Sequence, residues 1–147
     1  MRKTNVVMAF LALVLGLGFM FGSAAAQVGS GLKGAPRDPE MEKKSNTDLE
    51  AGSFYIKSRK AYKAGIDRLE EIQAGYPEYS RMDLVYYWLG EAHIGLSRQA
   101  EKAGKKEDAA KERAKAIEYY KMLVKEFPDG EKTNDAKKAL KELGAEG

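Results

Sequence analysis

Tyr62-Lys63-Ala64-Gly65-Ile66 opens a run that passes through Leu69 and Ile72 to Tyr76-Pro77, and Lys115-Ala116-Ile117 opens another that passes through Tyr120 and Leu123 to Phe127-Pro128. Aligned on their prolines, the pairs Gly65/Ala116, Ile66/Ile117, Leu69/Tyr120 and Ile72/Leu123 coincide. One supersecondary unit used twice is the mark of a helical repeat rather than of a catalytic domain. The pattern predicts an all-α chain that works as a binding surface.

Outward from these runs, residues at three- and four-residue steps (Tyr62, Ile66, Leu69, Ile72 or Gln73, and Tyr76) give one face of a helix that Pro77 stops. Gly65 inside it weakens the helix by about 1 kcal/mol against alanine, which predicts a neighbouring helix in close approach. Upstream, Thr47 with Glu50 three residues later reads as a capping box, so a first helix is expected over about 47–59. Ser80 is expected to cap the third helix, 81 to about 96. There Met82, Val85, Tyr86, Leu89, Ala92, His93 and Leu96 take one broad side and Leu84, Tyr87, Trp88 and Ile94 most of the other. A helix apolar nearly all round belongs in the middle of an array.

Residues 97–115 change to Ala, Lys, Glu and Arg. The preferred reading extends the third helix to about Ala103, turns at Gly104 to Lys106, and starts the fourth near Glu107; a solvated loop is the competing one. The fourth helix carries Ala110, Ala114, Ile117, Tyr120, Leu123 or Val124, and Phe127, and Asp129-Gly130 turns the chain. A last helix, about Lys132 to Leu143, shows one apolar side (Ala136, Ala139, Leu140, Leu143), as a terminal capping helix does.

The ends and composition set limits. Arg2 and Lys3 precede an uncharged apolar run from Val6 to Phe21, and Ser23-Ala24-Ala25-Ala26-Gln27 offers a small-x-small site, so 1–26 reads as a secretory signal cut between Ala26 and Gln27. An uncleaved anchor is the competing reading, although the run is shorter than the roughly 20 residues that span a bilayer. Of 25 Lys and Arg and 22 Asp and Glu, the leader takes two basic residues, which leaves 23 basic against 22 acidic and a net charge of about +1. No nucleic-acid footprint or polybasic membrane patch is expected, and the chain is at most peripheral to a membrane. There is no cysteine, hence no disulfide and no lipobox. Residues 27–46, with Gly29, Gly31, Gly34, Pro36 and Pro39 and almost nothing apolar, read as a flexible linker before a helical domain at 47–143.

Ala116, Tyr120, Leu123 and Pro128, and in the third helix Tyr86, Leu89, Gly90 and His93, resemble the second-helix and first-helix positions of the tetratricopeptide repeat. Gly65, Leu69, Ile72 and Pro77 follow with larger liberties. The wording around Tyr76-Pro77, Val85 to Ala92, and Tyr120 to Gly130 is similar to periplasmic tetratricopeptide proteins of the bacterial envelope, of the outer-membrane β-barrel assembly lipoprotein and Tol-associated coordinator type. The segment between Leu96 and Ala116 interrupts that family's period. The resemblance implies a short α-solenoid of about two hairpins plus a cap, in the periplasm or secreted. It also implies that the first helix of each pair lines the concave binding surface.

No Gly-rich phosphate loop, nucleophile elbow or metal-ligand spacing occurs, so no enzyme activity, cofactor, catalytic residue or metal site is expected. His93 is the only histidine and has no cysteine or second histidine to work with, which favours a packed or groove-lining role. Glu70-Glu71 and Glu107-Asp108 point about 100° apart on their helices and read as solvated charges. Tyr86, Tyr87 and Trp88 sweep about 200° of helix, more than one core face hides. The expectation is an interaction module for a peptide or helix of an envelope protein, with outer-membrane assembly as one setting. Tyr87 and Trp88 are its apolar anchors, beside Glu91 and Ile94. The alternative is a structural protein that forms a homodimer through the same aromatic helix.

Overall fold

The computed structural model describes residues 36–145, so the signal segment, the Ala26/Gln27 cleavage site and 27–35 of the expected linker lie outside the described residues. The protein is all-α, with no strand among the described residues. The helices are α1 (Pro39–Phe54) followed by a π-helical turn (Tyr55–Arg59), α2 (Tyr62–Gly75), α3 (Met82–Lys102), α4 (Lys106–Glu126) and α5 (Thr133–Glu142). Each packs on its successor, and α1 also touches α3.

The expected linker is corrected from residue 39 onward, because 39–46 are helical. Asp38 caps α1, accepting the Glu40 N–H at 2.9 Å and the Met41 N–H at 3.4 Å, and Pro39 sits where its missing N–H costs nothing. Met41 packs on the core, and polar bonds hold the rest of this turn down. Glu42 accepts the Ser80 N–H at 3.0 Å and its hydroxyl at 2.6 Å, Tyr79 donates to Asn46 at 2.7 Å, and the Asp38 N–H reaches the Tyr76 hydroxyl at 3.1 Å. Thr47 is therefore no cap: it lies mid-helix, its hydroxyl bonded to the Lys43 carbonyl. Ser80 does not cap α3 either, since its hydroxyl is committed to Glu42 and the residue before α3 is Arg81.

The proline-terminated runs become two turns of one geometry. Tyr76 and Phe127, pushed out of the α region by the proline that follows, have φ/ψ of −149°/72° and −128°/63°. Their N–H groups close on Ile72 and Leu123 at 2.8 and 2.9 Å. Tyr79 then bonds the Tyr76 carbonyl and Gly130 the Phe127 carbonyl, both at 3.0 Å. Met82 bonds Tyr79 and Thr133 bonds Gly130, both at 3.2 Å. The α2–α3 and α4–α5 connections are thus copies, bond for bond, and the aligned pairs Leu69/Tyr120 and Ile72/Leu123 are all within the core.

Residues 97–115 are helical on both sides of a tight tip. Gly104 takes a left-handed φ of 73°, and the Lys105 N–H bonds the Ala100 carbonyl at 2.9 Å, a Schellman closure that only glycine enters without strain. Buried Ser97 ties the hairpin at its base by donating to the Ala109 carbonyl at 2.9 Å. Gly65 marks the close helix approach expected of it: a methyl added there would meet Ile56 and come 3.0 Å from the Gly52 carbonyl, so α1 and α2 touch almost backbone to backbone.

Candidate partner-binding face

Helix α3 has neighbours on two sides and solvent on a third. Leu89, Val85 and Ala92 are fully buried. At Gly90 the ring of Tyr120 from α4 lies against the backbone, and at Gly95 that of Tyr62 from α2 does so. About 100° of turn per residue puts Tyr87, Glu91 and Ile94 within about 60° of one another in the sector these contacts leave free. Trp88 lies at its edge.

Of the three consecutive aromatics, Tyr86 is core. It packs on Tyr119 and Phe127 at 6.3 and 6.0 Å between ring centroids, its hydroxyl lies 3.5 Å from Glu126, and burial pushes its pKa up to about 12. Tyr87 and Trp88 are half-buried, packed edge to face at 5.2 Å. Glu91 and Ile94 are half-buried as well, so all four expected anchor residues share one partly open stripe.

Tyr87 leans on Tyr120 at 6.4 Å, and the fully buried Tyr120 donates its hydroxyl to Oε1 of Glu91 at 2.7 Å. The pair fixes the Glu91 carboxylate, whose Oε2 has no hydrogen-bond partner among the described residues. The Tyr87 hydroxyl and the Trp88 indole N–H also lack partners there. None of these atoms is a buried unsatisfied group, so all three reach solvent. From the far side, the Lys132 ammonium stands 5.5 Å from the Tyr87 ring centroid and 3.0 Å from Asp135. Burial, then the charges of Glu91 and Asp135, push the Tyr87 pKa up to about 12; burial, then Glu91, raises that of Tyr120 as well. The stripe is an apolar platform with three solvent-facing polar atoms at its rim.

Tyr120, Lys132 and Asp135 belong to this face although sequence reading did not assign them to it. The repeat held the signal. Lys132 immediately precedes α5 as Arg81 precedes α3, so the second turn delivers its cation beside α3.

His93 is on the core side, not the stripe. Its Nδ1 lies 2.6 Å from Oε2 of Glu112, and its ring stacks on Tyr119 at 5.5 Å with an 8° interplanar angle. It joins α3 to α4 as a packed histidine. Among the described residues no group of three or more His, Cys, Asp or Glu side chains is placed to hold a metal ion, and no helix is long and apolar enough to cross a membrane. No family model, no curated protein and no solved structure matches the chain.

Proposed function

We propose that the chain is a non-enzymatic protein-interaction module that seats a peptide or helix of a partner along the open sector of α3. The observation that carries this reading is the half-exposed stripe of Tyr87, Trp88, Glu91 and Ile94 on a helix whose other apolar side chains are mostly buried in the core. Aromatic anchors flanked by polar rims are where interface energy concentrates. The proline-terminated repeat and the Leu89-Gly90 and Tyr120 positions support a tetratricopeptide-like solenoid. The leader-like residues 1–26 support export to the bacterial envelope, where the partner would be an envelope protein.

Self-association through the same helix is the competing reading. The outward residues of α2 (Lys63, Asp67, Arg68, Glu70) and of α5 (Asp135, Lys137, Lys138, Lys141) are exposed and charged. These faces are polar, and the exposed Phe54 of α1 has the Arg59 guanidinium 5.5 Å over its ring, which favours a foreign occupant on α3 over stacking of open ends. The test is affinity capture from envelope fractions with the chain lacking 1–26, beside a Tyr87→Ala/Trp88→Ala form checked for folding by circular dichroism. A specific protein retained by the parent and lost by the double variant is the expected result. Equal retention sinks the assigned face, and a dimer at micromolar concentration that the double variant abolishes transfers the face to self-association.

A further inference from the structure

Building on the α3 reading, we infer that the face selects a basic partner segment, one that lays an arginine or lysine against Tyr87 and Glu91 beside an apolar side chain on Trp88 and Ile94. The platform already holds such a cation. The Lys132 ammonium sits over the Tyr87 ring at 5.5 Å, within the range at which a ring face attracts a positive charge. Lys132 is a stand-in for what a partner would bring, and a competitor for the same ring.

Tyr87 faces charges from its own helix and from the start of α5. From α3 itself comes Glu91, with Oε1 occupied by Tyr120 and Oε2 open to solvent. From the start of α5 come Lys132 and Asp135, paired at 3.0 Å and so largely cancelling each other. The α4 neighbour, Tyr120, brings no charge and fixes the carboxylate. Arg98, one turn beyond Ile94, is exposed and forms no ion pair among the described residues, though its charge reaches the Tyr120 hydroxyl. The carboxylate beside the aromatic pair that no ion pair engages among the described residues is therefore Glu91, held in place by a buried phenol. A guanidinium there would gain the open Oε2 and the Tyr87 face together, whereas an acidic side chain would meet Glu91 in like-charge repulsion.

Trp88 is the only tryptophan in the chain, so its fluorescence reports the face directly. The experiment titrates the chain lacking 1–26 with a soluble acetylated peptide of repeated Leu-Arg-Gly-Ser units, and with counterparts in which every Arg is Gln or Glu. The expected result is a saturable change with the Arg peptide that weakens as salt is raised, affinity roughly tenfold lower for the Gln peptide, and none measurable for the Glu peptide. Glu91→Gln should narrow the gap between the Arg and Gln peptides from about tenfold to the roughly two- to fivefold that the Tyr87 ring supplies. Lys132→Ala should tighten the Arg peptide by about two- to fivefold, because it frees the ring; a purely structural lysine would give weakening or no change. Equal affinities for Arg and Gln peptides overturn the charge selectivity and leave the α3 groove standing. Silence of Trp88 toward all three peptides overturns both.

Discussion

Gly90→Ala tests a tight joint of the fold, the crossing of α3 and α4 beneath the candidate face. A methyl carbon placed on Gly90 falls 2.5 Å from Cε1 of Tyr120 and 2.8 Å from Cδ1 and Cζ, against about 3.5–4.0 Å for relaxed carbon contacts. The ring cannot step aside cheaply: Tyr120 is fully buried and its hydroxyl is held at 2.7 Å by Glu91. The helices must therefore separate by about 1 Å. Overpacking of this kind costs about 1–3 kcal/mol, and contact with three ring atoms places it at the upper end. Alanine's helix propensity returns about 1 kcal/mol, so the net loss is about 2 kcal/mol. With about 4 °C of melting temperature per kcal/mol for a domain of this size, Tm drops by roughly 8 °C. Gly75→Ala is the control, since nothing lies within 4 Å of a methyl there, and it should leave stability unchanged or raise it slightly. Urea unfolding followed by circular dichroism reads both, with an unchanged denaturant slope marking a change in stability alone. If Gly90→Ala unfolds at the same urea midpoint as Gly75→Ala, the close crossing is wrong. Smaller damage in a Tyr120→Leu background would locate the clash at the ring.

Asp38→Ala should destabilise by about 1 kcal/mol and speed amide exchange at Glu40 and Met41, which checks that α1 starts at Pro39. Ser97→Ala leaves the buried Ala109 carbonyl without its donor and should cost about 1–2 kcal/mol in the same urea assay. The raised tyrosine pKa values mean that the folded chain keeps protons the unfolded chain releases. Their stabilisation is whole below the ordinary tyrosine pKa of 10.0 and falls as pH rises from there to about 12, so unfolding at alkaline pH should coincide with late phenol ionisation at 295 nm.

The repeat was legible because two constraints acted on the same residues. Pro77 and Pro128 forbid helix in the residue before them, and the apolar steps leading to them set which side is buried, so both turns and the core residues of α2 and α4 follow from the sequence. The 97–115 hairpin was legible through Gly104 alone. The start of α1 was not, because a search for apolar residues to bury finds few between 36 and 46. That turn is held instead by Glu42 and Asn46 bonding residues more than 30 positions away. The same holds for the face. Tyr87, Trp88, Glu91 and Ile94 could be placed from helical spacing, but Tyr120's hydroxyl on Glu91 and Lys132's ammonium on Tyr87 depend on how two other helices arrive.

The open sector of α3 follows from the number of helices as much as from their sequence. α1 and α2 cover α3 from one side, α4 covers it from the other, and α5 stops at the edge, since it packs on α4 and brings only its first turn to Tyr87. Core formation thus needs Val85, Leu89 and Ala92 but places no such demand on the solvent-facing parts of Tyr87, Trp88 and Ile94. An aromatic pair and an isoleucine kept half in water forgo part of the roughly 25 cal/mol per Å² that burial would return. The Glu91 carboxylate at their centre satisfies the buried Tyr120 hydroxyl through Oε1 and keeps Oε2 in water, so only half of it is committed to helix packing. A second molecule with an apolar side chain and a positive charge would recover the forgone burial and engage the free oxygen, and that is the physical ground for proposing a binding face.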